Sequence, residues 1–126
     1  MLNIEKQINY WINGAEDDIL TAELLIEKSR NLHGLFFCHL VIEKALKAHF
    51  VKKNKIIAPK IHNLLYLSEK SEIEFDIEIK KFLGILMKFQ LQGRYPDYSP
   101  EIPDQNIVNE YLIKTKELLK WLKQKL

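Results

Sequence analysis

The 126-residue chain has few of the residues that cross-link or interrupt a small fold. Its only cysteine is Cys38, so no disulfide can form within the chain, which is typical of a reducing compartment. Four glycines and four prolines leave no room for a long flexible linker. The remaining composition, 47% hydrophobic and 29% charged, is that of a globular protein. We therefore expect one domain over residues 1–126, located in the cytoplasm.

Long hydrophobic runs and a strong net charge are also lacking. The most apolar run covers residues 35–42 and contains His39, whereas a membrane-spanning helix needs about 20 apolar residues. Polar residues near the N-terminus take the place of the apolar stretch of a signal peptide. The formal net charge of +2 is too small to indicate a nucleic-acid or membrane-surface binder by itself. We expect no membrane association, and any sign of function must come from the positions of particular residues.

Apolar residues recur at three- and four-residue intervals along most of the chain, which predicts helices. Strand-like alternation does not persist anywhere. The predicted helices cover residues 4–28, 35–52, 62–70 and 72–91, and a last helix follows Asp104 as its N-cap. A turn is predicted at residues 31–34, and Gly93 is expected to end the fourth helix. The fold class is therefore all-α, an antiparallel up-and-down bundle of four long helices and one short helix.

The second predicted helix is apolar on all sides, which is typical of a helix at the centre of a bundle. One polar ridge interrupts it, formed by His39, Glu43 and Lys47 at i, i+4 and i+8. Glu43 precedes Lys47 in the order that favours a helical ion pair. The ridge is either a salt bridge beside a hydrogen-bonded histidine, or the lining of a cleft that faces a ligand or a second subunit.

His62 stands at the start of the short helix, directly after the loop that contains Pro59. At that position its ring either bonds a backbone carbonyl or points into a neighbouring cleft. Both alternatives remain open from the sequence.

A second polar segment follows Gly93 and contains Arg94, one of only two arginines in the chain. A guanidinium binds carboxylate or phosphate in a two-pronged geometry that lysine cannot reproduce. Pro96 restricts the backbone and favours an extended Tyr95. The segment is either a ligand-binding loop or a tight loop in which Arg94 pairs with Asp97.

Three segments in this order and spacing, FCHLVIEKALKA at 37–48, KIHNL at 60–64 and GRYPD at 93–97, resemble the HEPN family. The name stands for the higher eukaryotes and prokaryotes nucleotide-binding domain, and the resemblance extends over about residues 5–124. It implies an up-and-down helical bundle that commonly forms homodimers. Prokaryotic members are often encoded beside a minimal nucleotidyltransferase, and many such pairs are toxin–antitoxin modules.

The resemblance implies a module that dimerises and binds a nucleotide or a minimal nucleotidyltransferase partner. Its candidate ligand-binding residues are His39, Glu43, Lys47, His62, Arg94, Tyr95 and Asp97. Arg94, Lys47 and His39 would hold a phosphate, and Tyr95 or Tyr98 would stack on a base. We expect no metal site, because the four histidines lack a paired acid or cysteine at ligand spacing. We also expect no cofactor.

The alternative function is a metal-independent endoribonuclease. Some branches of the family carry an Arg-x4-6-His motif, but here Leu35, Phe36 and Phe37 follow Arg30 at those positions, and no histidine follows Arg94. A ribonuclease would need a rearranged site. His39 or His62 would then serve as general acid or base, and Arg94 would stabilise the developing charge.

The small net charge is the sum of two oppositely charged segments. Residues 43–60 contain six lysines and one acid, whereas residues 69–80 contain five acids and two lysines. This asymmetry either steers a nucleotide, RNA or an acidic partner to one side, or reflects ordinary solvated lysines.

Overall fold

Five α-helices form the regular structure, which confirms the all-α class. The computed structural model describes residues 2–90 and 101–126, and no strand occurs in these two ranges. The helices are α1 (Ile4–Glu27), α2 (Asn31–Asn54), α3 (Leu64–Lys70), α4 (Ile77–Met87) and α5 (Gln105–Gln124). None of the helices in the described ranges is long and apolar enough to span a membrane.

Four helices begin at a side-chain cap. In each, an Asn or Asp side chain accepts a hydrogen bond from the backbone N–H three residues later, at 2.8–3.0 Å. These caps are Asn3, Asn63, Asp76 and Asp104. Such a bond satisfies one of the backbone donors that a helix start leaves unpaired. The predicted cap at Asp104 is confirmed.

Four predicted boundaries are wrong. Residues 31–34 are the first turn of α2, and the chain reverses earlier, with Ser29 in the left-handed region at φ 60°. The short helix begins at Leu64, after the Asn63 cap, so His62 precedes it. The fourth helix begins only at Ile77, because Glu72 takes a left-handed conformation at φ 56° and Asp76 caps the helix. That helix also ends earlier than predicted, because Met87 is its last residue and Lys88 its C-cap, so residues 88–90 are not helical. Gly93, the predicted stop, lies outside the described residues.

The order of contacts along α2 and α5 establishes their direction. Asn31 donates a hydrogen bond to Gln105 at 2.9 Å, where both helices begin. His49 donates a hydrogen bond to the carbonyl of Leu122 at 2.7 Å, where both end. The two helices are therefore parallel, as the second and fourth long helices of an up-and-down bundle must be.

The central position of α2 is confirmed. It packs against each of the other four helices, and most of its residues from Gly34 to Val51 are buried. Ion pairs Lys116–Glu23 and Lys123–Glu16 join α5 to α1 in antiparallel order. Because the middle of α2 is covered on every side, a polar residue buried there must find its partners inside the protein.

Candidate functional site

The polar ridge on α2 is enclosed by the rest of the same chain. His39, Glu43 and Lys47 are only 1%, 4% and 4% exposed. An unpaired charge at that depth would be very costly, so the ridge requires internal partners.

The Glu43 carboxylate connects two basic side chains. Its Oε2 accepts a hydrogen bond from Nζ of Lys47 at 3.0 Å, the i, i+4 pair that the spacing predicts. Its Oε1 accepts from Nδ1 of His62, also at 3.0 Å. Each carboxylate oxygen therefore has a partner, and one buried side chain joins the centre of the bundle to the loop before α3.

His39 holds the backbone of that loop. Its Nε2 donates to the carbonyl oxygen of His62 at 3.0 Å, while its buried Nδ1 has no hydrogen-bond partner within the described ranges. Burial lowers the pKa of His39 below its ordinary value of 6.5, although the nearby Glu43 carboxylate opposes the shift. The unfolded chain therefore binds a proton more readily here, and the free energy of unfolding falls as the pH drops below 6.5.

His62 is the member of the cluster that reaches solvent. Its side chain is 46% exposed, while Glu43 holds its ring and His39 holds its carbonyl. Nδ1 donates to Glu43, and no hydrogen bond to Nε2 occurs among the described residues. An imidazole oriented by a carboxylate in this way can take up or release a proton at Nε2.

The sequence left open whether the ring of His62 bonds a backbone carbonyl. In the structure the ring bonds a carboxylate instead, and the carbonyl bond in this cluster is made by the other histidine, His39.

Trp11 of α1 is a member of the site that the sequence reasoning missed. Nζ of Lys47 lies 5.2 Å from the centre of its ring, a cation–π distance. Its indole N–H is buried and has no hydrogen-bond partner in the described part of the chain. In the sequence Trp11 is part of the apolar stripe of α1 and looks like any core residue. Only its contact with Lys47 in the folded protein assigns it to the site.

The structure therefore brings together four of the seven candidate residues. Arg94, Tyr95 and Asp97 lie outside the described residues, as does Tyr98.

The two oppositely charged segments contact each other. Nζ of Lys53 lies 2.6 Å from a carboxylate oxygen of Glu72. Around this pair is a groove of about 560 Å³, lined by lysines from the end of α2 and by residues 71–74. Part of the basic charge is therefore compensated within the chain.

The other buried reactive groups are bound within the fold. Burial raises the pKa of Cys38 to about 11, and a hydrogen bond with Thr115 opposes that shift. Its thiol is protonated at neutral pH and poorly suited to act as a nucleophile. Burial lowers the pKa of His49, which bonds the carbonyl of Leu122. In the described ranges, no group of three or more His, Cys, Asp or Glu side chains could hold a metal ion.

Comparison with known proteins gives one finding. The family model described as HEPN domain matches residues 8–125, nearly the whole chain. No curated protein and no solved structure matches.

Proposed function

Because this chain belongs to the HEPN domain family, we propose that it is a module that dimerises and binds a nucleotide or a minimal nucleotidyltransferase partner. In this proposal it is one member of a toxin–antitoxin pair. The observation that carries the binding proposal is the presentation of His62, whose ring and backbone are both held by buried polar residues while the ring remains half exposed.

The proposal divides the candidate residues into two groups. A phosphate cannot reach Lys47 without displacing Glu43, because both side chains are about 5% exposed and paired with each other. His39 is equally inaccessible. We therefore assign His39, Glu43 and Lys47 to the positioning of His62, and direct ligand contact to His62.

The proposal also assigns ligand binding to three residues of the GRYPD segment. Arg94 would bind phosphate or a partner carboxylate through its guanidinium, and the Tyr95 ring would stack on a base. Asp97 would orient Arg94 as its counter-ion.

Arg94→Ala is expected to weaken binding of ATP about tenfold or more, because charge-assisted hydrogen bonds to phosphate are lost. Isothermal calorimetry with ATP, and with the purified nucleotidyltransferase encoded beside this chain where one exists, measures the affinities. Arg30→Ala is the matched control, since Arg30 is the only other arginine and makes no side-chain cap bond to α2. Equal affinities for wild type and Arg94→Ala, with unchanged thermal unfolding, would contradict the proposal.

A metal-independent ribonuclease is the second candidate, and one observation favours it. Of the two histidines proposed as acid or base, His39 is buried. His62 is half exposed, and its Nδ1 donates a hydrogen bond to the Glu43 carboxylate. Such a histidine is suited to accept the 2′-hydroxyl proton of RNA.

Single-stranded RNA incubated with the protein in EDTA tests this candidate. We expect cleavage by the wild type and a loss of at least a hundredfold in His62→Gln, since general acid–base catalysis contributes about 10²–10⁴-fold. His33→Gln is the control, because His33 is an exposed histidine on the same helix as the ridge. If the wild type leaves the RNA intact, the proposed ribonuclease activity is contradicted.

A further inference from the structure

We propose that two copies of the chain associate by mutual insertion of a loop into a groove. The loop is the isoleucine tip, defined as Ile56 and Ile57. The groove is the acidic groove, lined by Leu65, Ser68, Glu69, Glu72, Ile73, Glu74, Phe75 and Lys80. This inference rests on the proposed dimerisation and assigns its surface.

The isoleucine tip is exposed, although the chain is fixed on both sides of it. Ile56 and Ile57 are 57% and 67% exposed, adjacent in sequence, directly after the C-terminal end of α2. Lys55 ends that helix in the left-handed region at φ 59°. On the other side of the tip, Ala58 is buried against Phe50 and Val51. Two adjacent large apolar side chains are thus left in contact with water, and an interface would remove them from it.

The acidic groove offers an apolar surface of suitable size. Its volume is about 740 Å³, and Leu65, Ile73 and Phe75 contribute its apolar lining. Leu65 is 39% exposed, so the apolar surface is accessible from solvent. Burial of two isoleucine side chains against such a surface is favourable by the hydrophobic effect.

The charges around the two surfaces are complementary. Lys52, Lys53, Lys55 and Lys60 surround the isoleucine tip in sequence. The acidic groove carries three glutamates and one lysine. Rim charges of opposite sign guide association and select the register of an interface. The same two segments already attract each other within one chain, through Lys53 and Glu72.

The position of residues 71–74 makes a symmetric pairing feasible. This segment lines the acidic groove on one side, and on the other it borders the lysine-lined groove at the end of α2. Lys55, the residue before the tip, lines that second groove, so residues 71–74 lie between the acidic groove and the start of the tip. A two-fold axis near residues 71–74 would place each tip against the other copy's groove, as a closed, self-complementary dimer requires.

The apolar part of the proposal is tested by Ile57→Asp. We expect its dimer dissociation constant, measured by analytical ultracentrifugation, to rise at least a hundredfold over that of the wild type, because a carboxylate would enter an apolar and acidic surface. Ile113→Asp is the matched control, since Ile113 is a 55% exposed isoleucine on α5. Both replaced side chains are exposed, so thermal unfolding should change little and any loss of dimer reports on the interface.

The charge complementarity between tip and groove is tested by reversing the charge on each side. Lys55→Glu and Glu69→Lys should each weaken the homodimer about tenfold, because each places like charges together at both junctions. An equimolar mixture of the two variants should associate with nearly wild-type affinity, since its heterodimer has opposite charges at both junctions. A chain carrying both substitutions should form the homodimer again.

The outcomes separate this inference from the proposals on which it builds. A wild-type dimer that Ile57→Asp and the charge variants leave intact would overturn the interface, while dimerisation itself would stand. A wild type that is still monomeric at about 1 mM would overturn both the interface and the proposed dimerisation. The proposed interface would also be overturned if the isoleucine tip bound phosphatidylserine vesicles while Ile57→Asp left the dimer intact. ATP affinity, the test of the nucleotide proposal, should be the same in Ile57→Asp and in the wild type.

Discussion

Replacing Glu43 by glutamine is expected to lower the free energy of unfolding by about 3–5 kcal/mol. The carboxylate accepts hydrogen bonds from Lys47 and His62 and is 4% exposed. Its loss leaves the Lys47 ammonium buried without a counter-charge, with only the ring of Trp11 beside it. Urea denaturation of wild type and variant at pH 7 measures the difference.

Two comparisons show whether the buried pair causes this loss. Glu78→Gln removes one partner of an exposed pair, Glu78–Lys81, and should change stability by less than about 1 kcal/mol. The double variant Glu43→Gln/Lys47→Met removes both buried charges and should recover most of the stability. A double variant as unstable as Glu43→Gln alone would mean that Lys47 is not the group left uncompensated.

Gly34→Ala is expected to destabilise the fold by about 1–3 kcal/mol, although alanine is the better helix former. A Cβ atom built on Gly34 would lie 2.4 Å from Cγ1 of Ile26 and 3.5 Å from the carbonyl oxygen of Ala22. Ile26 is buried, so it cannot move aside without opening the contact between α1 and α2. Thermal and urea unfolding measure the effect.

Gly84→Ala is the matched control. Gly84 also lies within a helix, but a Cβ there meets no atom within 4 Å. We expect a stabilisation of up to about 1 kcal/mol, because alanine restricts the unfolded chain more than glycine does. Equal effects of the two substitutions would show that the close approach at Gly34 does not limit packing.

Most of the fold could be predicted from the sequence, because a helix is specified by contacts between near neighbours. The three- and four-residue periodicity predicted all five helices, and Asp104 was identified as an N-cap. The turn at residues 31–34 was wrong for a tertiary reason. Gly34 serves the close approach of α2 to α1, and periodicity does not distinguish that use of glycine from a turn.

In the candidate site, too, the contact between near neighbours was predictable and the contacts between distant residues were not. The i, i+4 spacing was sufficient to predict the Glu43–Lys47 pair. It could not show that Glu43 also binds His62, because those residues are nineteen positions apart and meet only after the chain has turned. The spacing also could not show that the Trp11 ring packs against the Lys47 ammonium. The apolar pattern of α1 is the same whether Trp11 contacts a lysine or an apolar residue.

The sequence by itself determined the helical class, the central place of α2, the polar ridge and the resemblance to the HEPN family. The tertiary structure alone decided that the ridge is enclosed and that His62 is its exposed end. It also brought the basic and acidic segments into contact through Lys53 and Glu72. The physical reason is range: periodicity and capping act within one or two helical turns, whereas burial and the pairing of distant charges depend on how the helices pack.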